Sequence, residues 1–513
     1  MTGFLQCALG AAMALAAWLI PRRIARAPLV LGAALAIDAA PLLIGALLLA
    51  IASGRPVLAG LIILGLGAGF ALADQTMRDT LREPVVFSES VELPQLFSHP
   101  HLYLPFAGPA LVIGGALAIV AAALALLVFE PPVWRPDLPF ALAAVALIAG
   151  TAWALGREPL LSPTGAAFRR LGPSGDPDID AAALGPFAMV LAHCAIARAE
   201  RNGRRTAIGA PAIVGTAAGS ARPIVLVQCE SFFDARRLAP EFAPLLPGYA
   251  ACCNSGLMSG RLVVPGWGAN TMRTEFAVLS GVAEEALGYD RFNPYYALAR
   301  APIASQVWRL RAAGYRAICL HPFDRRFFRR DLAMPALGFD AFYCSRTLGG
   351  GRRPPYFADP DLAREILRVL DAEGPRCFLF AITMGNHGPW SLGGPPIDPA
   401  VSLGFDPGGV PQGAELQRYL DGLRRSDEML QILMGGLRER RNGALLGFYG
   451  DHLPSLPHAF AHYGFREPHS DYTIWPAEGA PPRRGDLPAH DLGRHIVDHV
   501  LSKQPAAAVT VSL

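Results

Sequence analysis

Lysine is almost missing from this chain: Lys503 stands alone among 45 basic residues, and the others are arginine. With Ala, Gly and Pro abundant, that imbalance reads as base composition and points to no activity. Charge is scarce as well. Asp, Glu, Lys and Arg make up 17% of the 513 residues and the net charge is +3, too small a surplus to argue for a nucleic-acid partner. The eight cysteines (Cys7, Cys194, Cys229, Cys252, Cys253, Cys319, Cys344 and Cys377) contain no C-x-x-C pair, which removes the zinc-ribbon motifs. They read as buried thiols, with Cys252 or Cys253 open to a disulfide if the domain around them is extracytoplasmic.

What the chain has in quantity is apolar surface. Hydrophobic residues are 52% and the mean hydropathy is +0.32, high for a soluble protein and unevenly spread. Apolar segments at roughly 4–20, 28–52, 56–73, 103–129 and 138–155 mostly approach the ~20 residues that cross a hydrocarbon core. The first lacks a charged n-region and a small-residue cleavage site, so it reads as an anchor and not as a removed signal peptide. Asp38, inside the second segment, is expected to serve neighbouring helices as a hydrogen-bond partner. An odd number of spans puts the two chain ends on opposite sides. With a cytoplasmic N-terminus, Arg55 and Arg135 face the cytoplasm while Arg22, Arg23 and Arg26 face outward. By the positive-inside rule, that count alone favours the reverse orientation. The stretch from Asp74 to His101 reads as a loop between the third and fourth spans.

Beyond residue 156 the pattern changes. SPTGAAFRRLGPSGDPDID is rich in turn formers, residues 181–201 have helical spacing, and GTAAGSARP at 215–223 reads as a flexible run. The organisation expected is a membrane region at 1–156, a linker with a helix at 157–222, a globular domain at 223–503 and a tail at 504–513. In the globular part, short apolar runs at 223–228, 316–320, 377–383 and 444–450 alternate with stretches of helical period. That alternation predicts an α/β domain with a largely parallel, helix-flanked sheet. Each run leads directly into chemically able residues: Glu230, then His321, then Asn386 and His387, then Asp451 and His452. Ligands in open α/β sheets bind beyond the carboxyl ends of the strands, so four such deliveries point to one site.

The stretch GWGANTMRTEFAVLSG at 266–281 adds a hydroxyl. Thr271 follows a Gly-rich turn and opens a helical pattern. Its hydroxyl there meets free N–H groups and the positive end of the helix dipole, a setting that suits phosphate. A bound cation would lower the hydroxyl's pKa and make it a nucleophile. The plainer alternative is a Thr N-cap, and Thr274 is the competing hydroxyl. Glu230, Thr271, Asp451 and His452 together form a mixed oxygen and nitrogen donor set suited to Mn²⁺, Mg²⁺ or Zn²⁺. His387, in TMGNHGPW, suits a phosphate oxygen or general acid–base work. The arginine run in HPFDRRFFRRD is ordinarily a solvated face, although one of its members could clamp a phosphate.

QCES, GANTMRTEFAVLSG, TMGNHGPW and YGDHLPS, in that order after five apolar spans, resemble the lipoteichoic acid synthase family. These are membrane-anchored phosphoglycerol transferases of the sulfatase/alkaline phosphatase superfamily. The resemblance implies a five-helix transmembrane bundle followed by an extracytoplasmic domain of alkaline phosphatase/sulfatase-like fold. The chain would then be multi-pass in a bacterial inner membrane with that domain facing the periplasm. It implies Thr271 as the nucleophile that takes up glycerol phosphate, one divalent metal ion (Mn²⁺ ahead of Mg²⁺ or Zn²⁺) on Glu230, Thr271, Asp451 and His452, and substrate contact by His387. FFRRD resembles the family's aromatic-Asn-Arg triplet, which places Phe328 in the aromatic slot and Arg330 in the arginine slot, with Arg329 in place of Asn. The partners implied are a phosphatidylglycerol-type lipid donor and a glycan or polyglycerol-phosphate acceptor. The alternatives are a phosphoethanolamine transferase, or a related phosphodiesterase or sulfatase-superfamily hydrolase. A non-catalytic membrane scaffold is the reading from another class.

Overall fold

The computed structural model describes residues 2–209, 214–216, 221–348, 357–390, 406–440, 443–501 and 508–510. Residues 217–220 of the run at 215–223 and most of the tail at 504–513 lie outside the described residues. The chain divides into two compact units, Met1–Gly203 and Arg204–Leu513.

The first unit contains five helices long and apolar enough to cross a membrane: α1 (Thr2–Ile24), α2 (Ala33–Ser53), α3 (Pro56–Leu81), α4 (Pro109–Phe129) and α5 (Leu138–Leu155). Large side chains such as Leu117, Leu124 and Phe129 on α4, and Leu147 and Trp153 on α5, point outward, as helices solvated by lipid require. Helices α1 and α3 approach closely through glycine. A Cβ at Gly67 would stand 2.4 Å from the Ala17 carbonyl oxygen, and one at Gly60 would stand 2.6 Å from that of Gly10.

Asp38 is fully buried and saturated. One carboxylate oxygen accepts from Trp18 Nε1 and Arg22 Nη1, both at 2.7 Å. The other accepts the backbone N–H groups of Phe187 and Ala188, so it caps the helix α6 (Pro186–Ala207). The helical pattern expected over 181–201 is split into Pro177–Leu184 and α6 at Gly185, which takes φ 97. A side chain at Gly185 would collide with Arg22 and Asp38. The stretch from Asp74 to His101 is largely helical rather than a loop. Helix α3 runs on to Leu81, and short helices cover Phe87–Val91 and Leu93–Ser98, with another starting at Pro100. Buried Asp74 fixes this fold-back by accepting from Arg78 Nε at 2.8 Å and Val85 N at 2.8 Å.

The second unit is built on an eight-stranded sheet of β1 (Ile224–Cys229), β2 (Met258–Val263), β3 (Arg316–His321), β4 (Ala341–Cys344), β5 (Cys377–Ile382), β6 (Leu445–Gly450), β7 (Ser470–Pro476) and β8 (Leu487–Pro488), in the order β4-β3-β5-β1-β6-β7-β2-β8. The first five in that order are parallel. β7 runs antiparallel to both β6 and β2, and β8 is parallel to β2. The four apolar runs of the sequence are β3, β5, β1 and β6, which are adjacent and central. β1, β5 and β6 are buried along their whole length, which is why these strands read as continuous apolar runs.

Helices cover both faces. One core layer includes α9 (Asp359–Glu373) and α10 (Gly413–Arg438). The other includes α7 (Thr271–Ser280), α8 (Arg330–Leu337) and α11 (Ala489–Leu501). The architecture is therefore five membrane-type helices plus a helix-flanked α/β domain with a largely parallel sheet, in line with what the resemblance implies. Among the described residues the eight cysteines are free, and Cys252 and Cys253 are buried, unbridged thiols.

Candidate functional site

Three parallel strands end side by side at the site. β1 delivers Glu230 one residue past its end, β6 delivers Asp451 and His452, and β5 delivers the loop from Thr383 to His387. Glu230, Asp451 and His452 are each at most 4% exposed, and one donor atom from each lies within 4.8 Å of the others. Helix α7 adds Thr271 as its first residue. The N-cap is Asn270, in left-handed conformation and without a side-chain cap, so the Thr271 hydroxyl is not engaged in capping. It lies 3.4 Å from His452 Nε2 instead. Thr274 donates to the Asp451 carbonyl oxygen at 2.7 Å, which ties α7 to the end of β6.

His452 is the centre of the cluster. Its Nδ1 faces the Leu453 carbonyl oxygen at 3.0 Å. A carbonyl only accepts, so Nδ1 carries the proton and Nε2 presents a lone pair. That lone pair faces Asp451 Oδ2 at 3.3 Å, Glu230 Oε1 at 3.4 Å and the Thr271 hydroxyl at 3.4 Å. Asp451 Oδ1 accepts from the backbone N–H groups of Ser231 and His452, whereas Oδ2, equally buried, has no hydrogen-bond partner among the described residues. Two carboxylates and an imidazole lone pair turned on one another repel unless a proton or a cation stands between them. The Glu230 carboxyl records this conflict. Burial and then the Asp451 charge raise it to about 8, against the hydrogen bond from the Ser231 hydroxyl. Ligands about 2.0–2.2 Å from a tetrahedral cation stand roughly 3.3–3.6 Å apart, so the donor set fits one divalent ion.

The surroundings hold these groups in place. Ser231 sits at φ 55, donates its hydroxyl to Glu230 Oε1 at 2.9 Å and is fixed from behind by Tyr419, whose hydroxyl donates to its carbonyl at 2.8 Å. The Glu230 N–H donates to Thr383 Oγ1 at 2.9 Å. Gly385 packs against Asp359 so tightly that a Cβ would come within 2.3 Å of its carboxylate oxygen. The non-glycine residues with positive φ include Ser231, Asn270, Phe328 and Arg329, a concentration of strain typical of functional sites.

His387 is partly buried, and its Nδ1 faces the Gly388 carbonyl at 2.5 Å, which leaves Nε2 as a lone pair. Burial holds this imidazole below its ordinary pKa, and the Asp451 charge acts on it in the opposite sense. Asn386 serves as a loop brace between Trp390 and the Tyr419 carbonyl.

Of the arginine run, Arg325, Arg326 and Arg329 are exposed, and Arg330 is 1% exposed. The Arg330 guanidinium is bound by Glu275, with Nη2 at 2.8 Å and Nε at 3.0 Å, and its Nη1 donates to His321 Nε2 at 3.1 Å. Its charge lowers the pKa of both Glu230 and His387. Phe328, at φ 54 and partly buried, stacks beneath Arg330 at 5.2 Å.

Three members of this neighbourhood have no chemical role that the sequence shows. His321 is delivered to the site as a strand-end residue, without a stated part in the chemistry. Buried, and next to Arg330, it is held well below its ordinary pKa. Glu275 carries no local signal, since Arg330, Tyr295 and Gln228 reach it from 55, 20 and 47 residues away. Ser231 was visible only as the residue after Glu230.

The sulfatase family description matches residues 222–499. The capsular polysaccharide biosynthesis protein RkpI of Rhizobium meliloti (strain 1021) is 31% identical over 414 residues, which cover 77% of this chain and 73% of that protein. A second protein of the same organism, named for modification of cyclic beta-1,2-glucan, is 29% identical over 263 residues, 50% of this chain and 39% of its own length. Among solved structures, the lipooligosaccharide phosphoethanolamine transferase A of Neisseria meningitidis matches with a TM-score of 0.49 and 14% identity. That match covers 93% of this chain and 88% of the other, and it is too distant to carry weight. The family match spans more than half of the chain, takes in every strand of the sheet and every residue of the cluster, and agrees with a relative along most of its length: the chain belongs to the sulfatase family.

Proposed function

We propose that this protein is a membrane-anchored phosphoglycerol transferase. It moves glycerol phosphate from a phosphatidylglycerol-type lipid through a covalent intermediate on Thr271 to a hydroxyl of a periplasmic glycan or glycerol-phosphate polymer. The family contains transferases and hydrolases, so the finer reading rests on the site. The observation that carries it is the convergence on His452 Nε2. Two buried carboxylates and the Thr271 hydroxyl lie 3.3–3.4 Å from one lone pair, and one carboxylate oxygen is left without a hydrogen bond. A sulfate-ester hydrolase of the formylglycine type needs Cys or Ser in a C/S-x-P-x-R signature, and TMRTE at 271–275 supplies neither.

Glu230, Asp451, His452 and Thr271 would hold the divalent ion, with Mn²⁺ favoured by the resemblance. Bound there, the ion supplies charge to stabilise the Thr271 alkoxide and a phosphoryl oxygen. The Thr271 hydroxyl gives up its proton as its oxygen attacks the lipid phosphorus, the bond to the diacylglycerol oxygen breaks, and that proton ends on the departing oxygen, which leaves as an alcohol. A glycerophosphate ester on Thr271 remains. In the second half-reaction the neutral His387 Nε2 accepts the proton of the acceptor hydroxyl, the new phosphodiester forms, the bond to Thr271 breaks, and the proton passes from His387 to the Thr271 oxygen to restore its hydroxyl. Arg330 and Phe328 serve the headgroup, with Glu275 fixing the guanidinium. The names of the two relatives, capsular polysaccharide biosynthesis and cyclic beta-1,2-glucan modification, favour a glycan acceptor.

The test is diacylglycerol release from phosphatidylglycerol with Mn²⁺ by the full-length protein, followed by mass analysis of the peptide containing Thr271. An added glycerophosphate is expected. An added phosphoethanolamine from the matching lipid would change the headgroup and keep the chemistry. Undiminished release by Thr271→Ala would overturn the covalent role.

A further inference from the structure

Helix α1 ends in Arg22 and Arg23, and Arg26 follows in left-handed conformation at φ 56. These three arginines, with Leu19, Ala27 and Leu29, line a cavity of about 680 Å³. Half of that lining is cationic and half is aliphatic. Arg22 is 3% exposed and rigidly placed, with Nη1 on Asp38 Oδ2 at 2.7 Å and Nη2 on the Pro28 carbonyl at 2.5 Å. Its buried Nε has no hydrogen-bond partner among the described residues. Asp38 offsets the charge of Arg22 only. Arg23 and Arg26 are exposed and form no ion pair among the described residues, so two cationic charges at this helix end are uncompensated.

The position of these charges is unusual. Five spans put the end of α1 on the same side as residues 156–203, and Asp38 confirms this within the unit by binding both Arg22 and the start of α6. If that side faces outward, three arginines stand where the positive-inside rule disfavours them. Membrane insertion does not account for them there, whereas an anionic occupant would.

We propose that this pocket holds the phosphodiester headgroup of an anionic glycerophospholipid, its phosphate on the guanidinium groups and its glycerol and first methylenes against Leu19 and Leu29. Arginine forks match phosphate oxygens in pairs, and the mixed lining matches the boundary between headgroup and acyl chain. Assigning that lipid as the donor deepens the proposed function and rests on it. The pocket would then load substrate on the side where the transfer takes place.

Binding is tested on full-length protein in neutral detergent by native mass spectrometry with phosphatidylglycerol, phosphatidylethanolamine and phosphatidylcholine. Wild type is expected to retain one phosphatidylglycerol at least tenfold more tightly than either zwitterionic lipid. Arg23→Gln with Arg26→Gln removes that preference, and Thr271→Ala keeps it. Both arginines are exposed, and an unchanged melting temperature would show that the double variant folds. Equal retention by the double variant, equal binding of phosphatidylethanolamine, or displacement by inorganic phosphate would each overturn the site. In vesicles, the double variant is expected to raise KM for phosphatidylglycerol about tenfold with kcat unchanged, and an unchanged KM would overturn the loading role. Retention of phosphatidylglycerol by a wild type that releases no diacylglycerol would support the pocket and defeat the proposed transfer.

Discussion

Asp38 in the membrane unit and Asp451 in the catalytic unit are both fully buried, and each accepts two backbone N–H groups on one oxygen. They part at the second oxygen. In Asp38 it receives Trp18 and Arg22, so charge and hydrogen bonding are both balanced. In Asp451 it receives no hydrogen bond and faces an imidazole lone pair with Glu230 beside it. Burial is costly for either carboxylate. The membrane unit meets that cost with a partner from its own chain, and the sulfatase-family unit leaves it unmet among the described residues, as the proposed cation site requires. A buried acid is thus a sign of function only when its own protein fails to satisfy it.

The sharpest way to break this comparison is to substitute both acids. Asp451→Asn should lower diacylglycerol release on the order of 10³-fold or more by weakening the metal site. It should not lower the melting temperature of the metal-free protein, because it removes a buried charge whose Oδ2 accepts no hydrogen bond among the described residues. A large loss of metal-free stability would mean that Asp451 is structural in the way Asp38 is. Asp38→Ala should behave oppositely and cost about 3–5 kcal/mol, since it leaves Arg22 buried without a counter-charge. Thermal unfolding in detergent reads that loss, and a variant as stable as wild type would show that the membrane acid is dispensable.

The pH dependence sharpens the difference further. The folded Glu230 carboxyl is raised to about 8 from 4.5, so the metal-free protein favours its neutral form. That contribution to stability is complete below about 4.5 and is lost as the pH rises through about 8. A cation must displace the proton, so apparent metal affinity should fall about tenfold for each pH unit below 8, with a proton released on binding. Calorimetric titration in buffers of different ionisation heat checks this, and pH-independent affinity between 6 and 8 would contradict it. The smallest effect belongs to Thr274→Val, which removes one buried hydrogen bond to the Asp451 carbonyl. About 1–2 kcal/mol of stability should be lost while Thr271 still reacts. If Thr274→Val abolished turnover, the choice between the two hydroxyls would have to be reopened.

Much of the fold can be read from residue order because the central strands are buried on both faces. Ile224–Cys229, Cys377–Ile382 and Leu445–Gly450 have no exposed position, so each reads as an unbroken apolar run. The outer strands escaped notice for the converse reason. Met258–Val263 alternates buried and open positions around Arg261, and Ser470–Pro476 buries polar groups that find partners only in the folded sheet. The helical stretch from Asp74 to His101 was missed because its turns depend on Asp74 reaching Val85 across the fold-back.

Sequence by itself determined that strand ends would deliver Glu230, Asp451, His452 and His387 to one edge of a parallel sheet, because apolar periodicity and chain direction are local properties. Tertiary structure alone decided which threonine faces the imidazole, that Glu275 binds Arg330, and that one Asp451 oxygen stays unsatisfied. Those facts depend on distances between groups tens to hundreds of residues apart, which no local pattern encodes.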